Sequence, residues 1–126
     1  MTEKPKRRSG INRILYAFTY TFNGLRYAIM NEAAFRQELV VFIIALIAML
    51  FMPVSDIVKL LLFITSIIIL IVELLNSAIE AVVDKASPEY NELAKQAKDM
   101  GSAAVFLSFT AAGVVWIYAI IQIFRS

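Results

Sequence analysis

Four polar residues within an apolar stretch are the side chains best suited to chemistry in this sequence. Spaced three, four and four residues apart, they are Glu73, Asn76, Glu80 and Asp84. In a helix they share one face, and ~16 Å of helix axis separates Glu73 from Asp84. Carboxylates on such a face could take a proton from a substrate or bind a divalent cation through oxygen.

The position of these carboxylates within apolar sequence favours a functional role. A charged side chain at the centre of a membrane helix costs roughly 2.5–3.5 kcal/mol on insertion scales. A neutral polar residue would form a seam between helices at lower cost, so Glu73 and Glu80 are interpreted as functional. For Asp84, at the end of the stripe, a polar seam between helices is an equal alternative.

Glu32 is a further candidate, because it precedes the first apolar segment and is expected to be level with Glu80. Two carboxylates, with waters and phosphate oxygens, would suit an octahedral Mg²⁺ ion. An ion pair between Glu32 and Arg36, four residues apart in a helix, is an equal alternative from the residues alone.

Cations for a phosphate group could come from Arg13 and Lys98 at the same membrane face. Lys98 is followed by Asp99, and a solvated charge pair is the default interpretation of these two residues alone. The four glycines, Gly10, Gly24, Gly101 and Gly113, are too scattered to build a P-loop or a glycine-rich kinase loop. Any nucleotide would therefore need an unusual site.

The residue types that are missing exclude several classes of chemistry. The 126 residues contain no Cys and no His, which excludes serine–histidine and cysteine–histidine catalysis. Any metal must be bound by oxygen, which favours Mg²⁺ or Ca²⁺ over Zn²⁺. The formal net charge is only +2 and does not indicate a nucleic-acid-binding surface.

The elements that would position these residues are helices in a membrane. Hydrophobic residues make up 60% of the chain and charged residues 17%, which is less charge than a soluble domain usually carries. We predict an all-α membrane protein of one domain, with a disordered arm at 1–10, an amphipathic interfacial helix at 11–30 and transmembrane helices at 33–52, 57–83 and 100–124. For 11–30, a surface helix packed on protein is the alternative.

Several local signals support these boundaries. Pro53 ends the first span, and Ser55 is a candidate cap for the second. The polar segment 84–99 is expected to include the start of the third helix. Small residues at every fourth position of that helix, Ala104, Ser108 and Ala112, would permit close helix contact.

The distribution of Lys and Arg predicts the orientation in the membrane. Five basic residues lie at or before Arg13 and three more lie in the 84–99 segment. The turn at 53–59 has only Lys59, and the C-terminus only Arg125. The positive-inside rule therefore puts the N-terminus and the 84–99 loop in the cytoplasm and the C-terminus outside.

Three strings carry a resemblance to a known family. They are NEAAFRQE at 31–38, VELLNSAIEAVVD at 72–84 and ELAKQAKDMGSAAV at 92–105. The chain closely resembles the bacterial integral-membrane diacylglycerol kinases, from about Asn12 to the third span. The resemblance implies a homotrimer in the bacterial inner membrane that uses ATP and Mg²⁺, with active sites shared between subunits at the cytoplasmic surface.

The resemblance also implies roles for individual residues. Glu73 would take the proton from the lipid's primary hydroxyl, supported by Asn76, while Glu32 and Glu80 would bind Mg²⁺. The implied phosphate contacts are Arg13, Lys98 and Asp99. Those lining the nucleotide pocket would be Tyr20, Glu89, Tyr90 and Asn91. Those along the lipid cleft would be Arg26, Arg36, Lys59 and Ser102, with Arg13 and Glu73 also touching the lipid substrate.

One departure and two alternatives accompany this resemblance. Well-known relatives carry His where this chain has Asn91, which puts that nucleotide contact in doubt. An undecaprenol kinase of the same family is an alternative, although the string at 98–105 looks more like the diacylglycerol branch. The second alternative is a small ion-coupled transporter with Glu73 as the coupling carboxylate. The acidic stripe counts against it, because the stripe leads to one membrane surface instead of staying at the bilayer midplane.

Overall fold

Four helices make up the regular structure of the chain. A computed structural model describes residues 2–4 and 6–126, so the expected disordered arm at 1–10 lies partly outside the described residues. The helices are α1 (Ile11–Asn31), α2 (Ala33–Phe51), α3 (Asp56–Ala86) and α4 (Glu92–Arg125). No strand occurs in the described residues, and the expected all-α architecture is confirmed.

The chain divides into two units, Met1–Glu32 and Ala33–Ser126. The first consists mainly of α1, which starts after Gly10 in the left-handed region at φ 67°. Glu32 ends α1 in an extended conformation, and its N–H donates to the Ala28 carbonyl at 2.9 Å. Large apolar side chains on α1, among them Phe18 and Phe22, are exposed.

The second unit contains three helices that are long and apolar enough to cross a membrane. They have 19, 31 and 34 residues for α2, α3 and α4. A span needs about 20 residues, so α3 and α4 extend well beyond that length. The extra turns carry the polar residues of the expected 84–99 segment, because α3 continues to Ala86 and α4 already begins at Glu92.

The turn between α2 and α3 is held by α4. Pro53 cannot donate a backbone hydrogen bond, and the chain turns there before α3 starts at Asp56. Ser55 occupies the N-cap position, but its hydroxyl forms no capping bond. Its backbone N–H instead donates to Oε1 of Gln122 at 3.1 Å, which links this turn to the last turns of α4.

Small residues on one face of α4 allow it to pack closely against α3, which also packs against α2. The buried small residues of α4 are Gly101, Ser108, Ala112 and Ala119. Two members of the expected series are among them, but Ala104 is exposed. The contact face therefore runs through Gly101, in the third turn of α4, and not through Ala104.

The apolar core of the second unit lies at the end where α2 turns into α3. Met49, Val58, Leu62 and Ala119 form its buried centre. Partly buried neighbours packed against it are Leu46, Met52, Val54, Val115 and Trp116. Elsewhere many large apolar side chains are exposed, including Ile57 and Val82 on α3, as expected of helices whose solvent is lipid.

Leu62→Ala should destabilise this core much more than the neighbouring Leu61→Ala. Leu62 is 1% exposed whereas Leu61 is 44% exposed, so only the first truncation leaves a cavity among packed helices. We expect a loss of about 2–5 kcal/mol for Leu62→Ala, measured by reversible unfolding in mixed micelles followed by circular dichroism. Equal losses for both variants would contradict this assignment of the core.

Candidate functional site

The predicted polar face of α3 is present, and its burial decreases along the helix. Glu73 is only 7% exposed, Asn76 and Glu80 are half-buried, and Asp84 is exposed near the helix end. Along the axis, Glu80 lies ~11 Å from Glu73. The face therefore leads from a buried carboxylate to the open end of α3.

Asn76 lies in the middle of this polar face and contacts Glu80. Its Nδ2 donates to Oε1 of Glu80 at 3.5 Å, while its Oδ1 is buried and has no hydrogen-bond partner in the described part of the chain. The sequence analysis predicted that Asn76 supports Glu73. The hydrogen bond shows that Asn76 also contacts Glu80, the predicted metal ligand.

Two ion pairs lie beyond Glu80. Lys98 on α4 pairs with Asp84 on α3 at 2.5 Å, and Lys95 pairs with Asp99 at 2.6 Å. Lys98 and Asp99, which the sequence suggested as a solvated pair with each other, thus have separate partners. The side chains of Lys98 and Asp84 are 41% and 64% exposed, so this pair contributes little stability.

A pocket of about 420 Å³ opens at the same end of α3 and α4. That volume lies in the usual range of small-molecule sites. Its lining includes five of the residues predicted to contact nucleotide or phosphate, namely Glu89, Tyr90, Asn91, Lys98 and Asp99. The fold therefore brings these five together, although they come from a connection and a helix.

Asn91, which lines this pocket, also caps α4. As the N-cap of α4, its Oδ1 accepts hydrogen bonds from the backbone N–H groups of Leu93 at 2.9 Å and Ala94 at 3.2 Å. These bonds use both lone pairs of Oδ1, so only Nδ2 is available for another group. The residue that departs from the family pattern thus serves the helix that carries Lys98.

The predicted site residues Arg13, Tyr20 and Arg26 lie on α1, in the first unit, and Glu32 is its C-cap residue. Tyr20 packs beside Tyr16, with ring centroids 6.5 Å apart. The guanidinium of Arg8 lies 3.2 Å from the centroid of the Tyr16 ring, a cation–π geometry. Arg8, which precedes α1, and the rings of Tyr16 and Tyr20 on α1 thus form an exposed cluster.

The predicted lipid contacts are spread along the second unit. Arg36 is exposed on the first turn of α2, and Ser102 is exposed on α4. Lys59 lies near the start of α3, ~21 Å along the axis from Glu73, and its Nζ donates to the Leu50 carbonyl at 3.4 Å. The structure does not bring Lys59 together with Glu73.

Glu38 lies near the polar face of α3, although the sequence analysis did not include it among the site residues. Its carboxylate lies close enough to Glu73 for electrostatic repulsion, and its Oε2 is buried without a hydrogen-bond partner in the residues described. Glu38 lines a mostly apolar pocket of about 310 Å³ with Phe42, Phe109 and Trp116. Its position within the string at 31–38 was the available signal.

Comparison with known proteins identifies the family. The family model described as prokaryotic diacylglycerol kinase matches residues 19–120. This chain belongs to that family. Together with its three long apolar helices, membership makes it a multi-pass membrane protein. The expected family resemblance is confirmed.

Curated members of the family resemble the chain over most of their length. The diacylglycerol kinase of Escherichia coli strain K12 is 47% identical over 108 residues, which is 86% of this chain and 88% of the relative. That of Pseudomonas aeruginosa is 43% identical over 111 residues, covering 88% and 90%. That of Helicobacter pylori is 32% identical over 114 residues, covering 90% and 89%.

The two predicted metal ligands, Glu32 and Glu80, are carboxylates, and carboxylate oxygens are ligands that Mg²⁺ prefers. Within residues 2–4 and 6–126, no group of three or more His, Cys, Asp or Glu side chains could hold a metal ion. Glu80 forms no salt bridge among these residues, and its Oε1 accepts the hydrogen bond from Asn76. Mg²⁺ commonly takes one or two carboxylates plus phosphates and waters, and the pair Glu32 and Glu80 stays a prediction.

Asn91→Ala should destabilise α4, whereas Asn91→Ser should not. Alanine removes the capping oxygen and should cost about 1 kcal/mol of unfolding free energy, while serine is a cap of similar quality. Unfolding of both variants in mixed micelles would measure the difference. Equal stability of Asn91→Ala and the parent protein would contradict the capping role.

Proposed function

We propose that this protein is a lipid kinase that transfers the γ-phosphoryl group of ATP to the primary hydroxyl of diacylglycerol, which gives phosphatidic acid. Relatives at up to 47% identity bear the name diacylglycerol kinase, and this similarity spans most of the chain. The relatives' names do not favour the undecaprenol alternative. The transporter alternative is not favoured either, because family membership accounts for the acidic stripe.

The observation that carries the proposal is the buried carboxylate of Glu73 on a face that leads to phosphate-binding chemistry. The face continues through Asn76 and Glu80 to Lys98, next to the 420 Å³ pocket. A lipid hydroxyl approaching from the bilayer and a phosphate approaching from water would meet along such a face. This geometry suits a reaction between a membrane lipid and a soluble nucleotide.

In the proposed reaction, the hydroxyl oxygen of the lipid forms a bond to the γ-phosphorus as the bond to the β–γ bridging oxygen breaks. Glu73 accepts the hydroxyl proton, and ADP leaves. Phosphoryl transfer passes through a loose transition state, so positioning and charge neutralisation dominate catalysis. A carboxylate suffices as base, because it needs to take the proton only as the new bond forms.

The remaining residues would bind and orient the two substrates. Lys98 and Arg13 would neutralise phosphate charge, with Asp99 beside them. The nucleotide would lie against Tyr20, Glu89, Tyr90 and Asn91, and the lipid along Arg26, Arg36, Lys59 and Ser102. Glu32 and Glu80 would hold Mg²⁺, which when bound would neutralise the charge of the ATP phosphate oxygens.

The proposal includes a placement in the bacterial inner membrane. α1 would lie in the interface, since its apolar stripe and its basic residues suit that environment. The positive-inside rule supports a cytoplasmic N-terminus and 84–99 segment, with the C-terminus outside. A homotrimer is included because three helices alone do not enclose a polar face, and the pocket beside Glu38 is open to its surroundings.

The parent protein should phosphorylate diacylglycerol, and not undecaprenol, when both are offered in mixed micelles with ATP and Mg²⁺. Glu73→Gln should lower turnover at least a hundredfold, since a positioned base contributes about 10²–10⁴-fold, and should leave assembly unchanged. Labelled phosphate on each lipid and light scattering of the purified protein would measure both. Phosphate on neither lipid would refute the kinase proposal, and loss of assembly would make Glu73 structural.

Glu80→Gln should weaken the dependence of activity on Mg²⁺. Removing one of two carboxylate ligands should raise the Mg²⁺ concentration for half-maximal activity by roughly tenfold or more. A titration at fixed ATP would measure it, with Glu3→Gln as the same substitution in an exposed segment outside the helices. An unchanged titration for Glu80→Gln would contradict the metal assignment.

A further inference from the structure

Gly101 lies where α4 closely approaches Asn76. The residue is buried, and a Cβ atom at this position would overlap Oδ1 of Asn76 and lie 3.3 Å from its Cγ. Gly113, in the same helix, would meet nothing within 4 Å. The absence of a side chain at Gly101 therefore provides the space that the Asn76 carboxamide occupies.

A glycine inside a helix lowers its stability relative to alanine. Glycine at 101 therefore preserves the contact with the Asn76 carboxamide at some cost in helix stability. Neighbouring positions of the α4 contact face, such as Ser108 and Ala112, carry a Cβ atom and are still buried against their neighbours. Close helix packing alone does not require glycine at 101.

The space beside Gly101 accommodates the Asn76 carboxamide in its observed orientation. Oδ1 of Asn76 is buried against Gly101 and has no hydrogen-bond partner in the described residues, so no hydrogen bond to that atom sets its orientation. With the oxygen held on the α4 side, Nδ2 is directed one turn along α3 to Oε1 of Glu80, at 3.5 Å. A displaced carboxamide would lose this contact.

We propose that Gly101 is a positioning residue, which orients the Glu80 carboxylate by leaving room for the Asn76 carboxamide. Gly101 has no side chain that could bind substrate or cation, and it acts through Asn76. The inference rests on the proposed function, because that function makes Glu80 a cation ligand. Partners of ligating carboxylates commonly change metal affinity by 10–100-fold when they are lost.

Four variants test the chain of contacts: Gly101→Ala, Gly113→Ala as a matched control in open space, Asn76→Ala, and Gly101→Ala combined with Asn76→Ala. The readout is the affinity for Mn²⁺ with a non-hydrolysable ATP analogue, measured by electron paramagnetic resonance in mixed micelles, and it requires no turnover. Gly101→Ala should weaken Mn²⁺ binding roughly tenfold, and Gly113→Ala less than twofold. Because the Asn76→Ala variant has no carboxamide to displace, Gly101→Ala should have little further effect in that background.

Unchanged Mn²⁺ affinity in Gly101→Ala would overturn the inference, as would a tenfold loss that persists on the Asn76→Ala background. If Gly101→Ala alone does not fold, the double variant should fold, because its overlap is removed; failure of both would also overturn it. The kinase proposal fails separately, when the parent protein phosphorylates neither lipid. Coupling between positions 76 and 101 would still be measurable as a difference in unfolding free energy.

Discussion

The burial of a carboxylate within a long apolar helix is the constraint on which the rest of the structure depends. Insertion of such a charge costs roughly 2.5–3.5 kcal/mol, and Glu73 is 7% exposed. The cost is tolerable only when polar groups continue along the same face to the helix end. α3 meets this requirement with Asn76 and Glu80, and α4 packs beside them because its facing residues are small.

Stability and chemistry are concentrated at opposite ends of the second unit. The buried apolar cluster around Leu62 lies beside the turn from α2 to α3, whereas Glu80 is ~27 Å farther along α3. The cluster can hold the helices together without constraining the polar end. That end is held by an N-cap and exposed ion pairs, which contribute less than a packed core.

The helices and the polar face of α3 could be predicted because both follow from local spacing. Hydropathy and Pro53 bound the spans, and the series from Glu73 to Asp84 follows from helical periodicity. Contacts between helices could not be predicted in the same way. The pairing of Lys98 with Asp84, the burial of Gly101 in place of Ala104 and the nearness of Glu38 to Glu73 all depend on how α2, α3 and α4 pack.

The absence of a glycine-rich phosphate loop changes what the charged side chains must do. Backbone amides of such a loop are fixed donors, whereas Lys98 already has a carboxylate partner in Asp84. On the proposed function, Lys98 exchanges this partner for phosphate. The exchange costs little free energy, because an exposed ion pair contributes little stability. Weakly paired cationic side chains at the polar end are therefore compatible with repeated binding and release of a highly charged substrate. A buried ion pair would oppose such exchange.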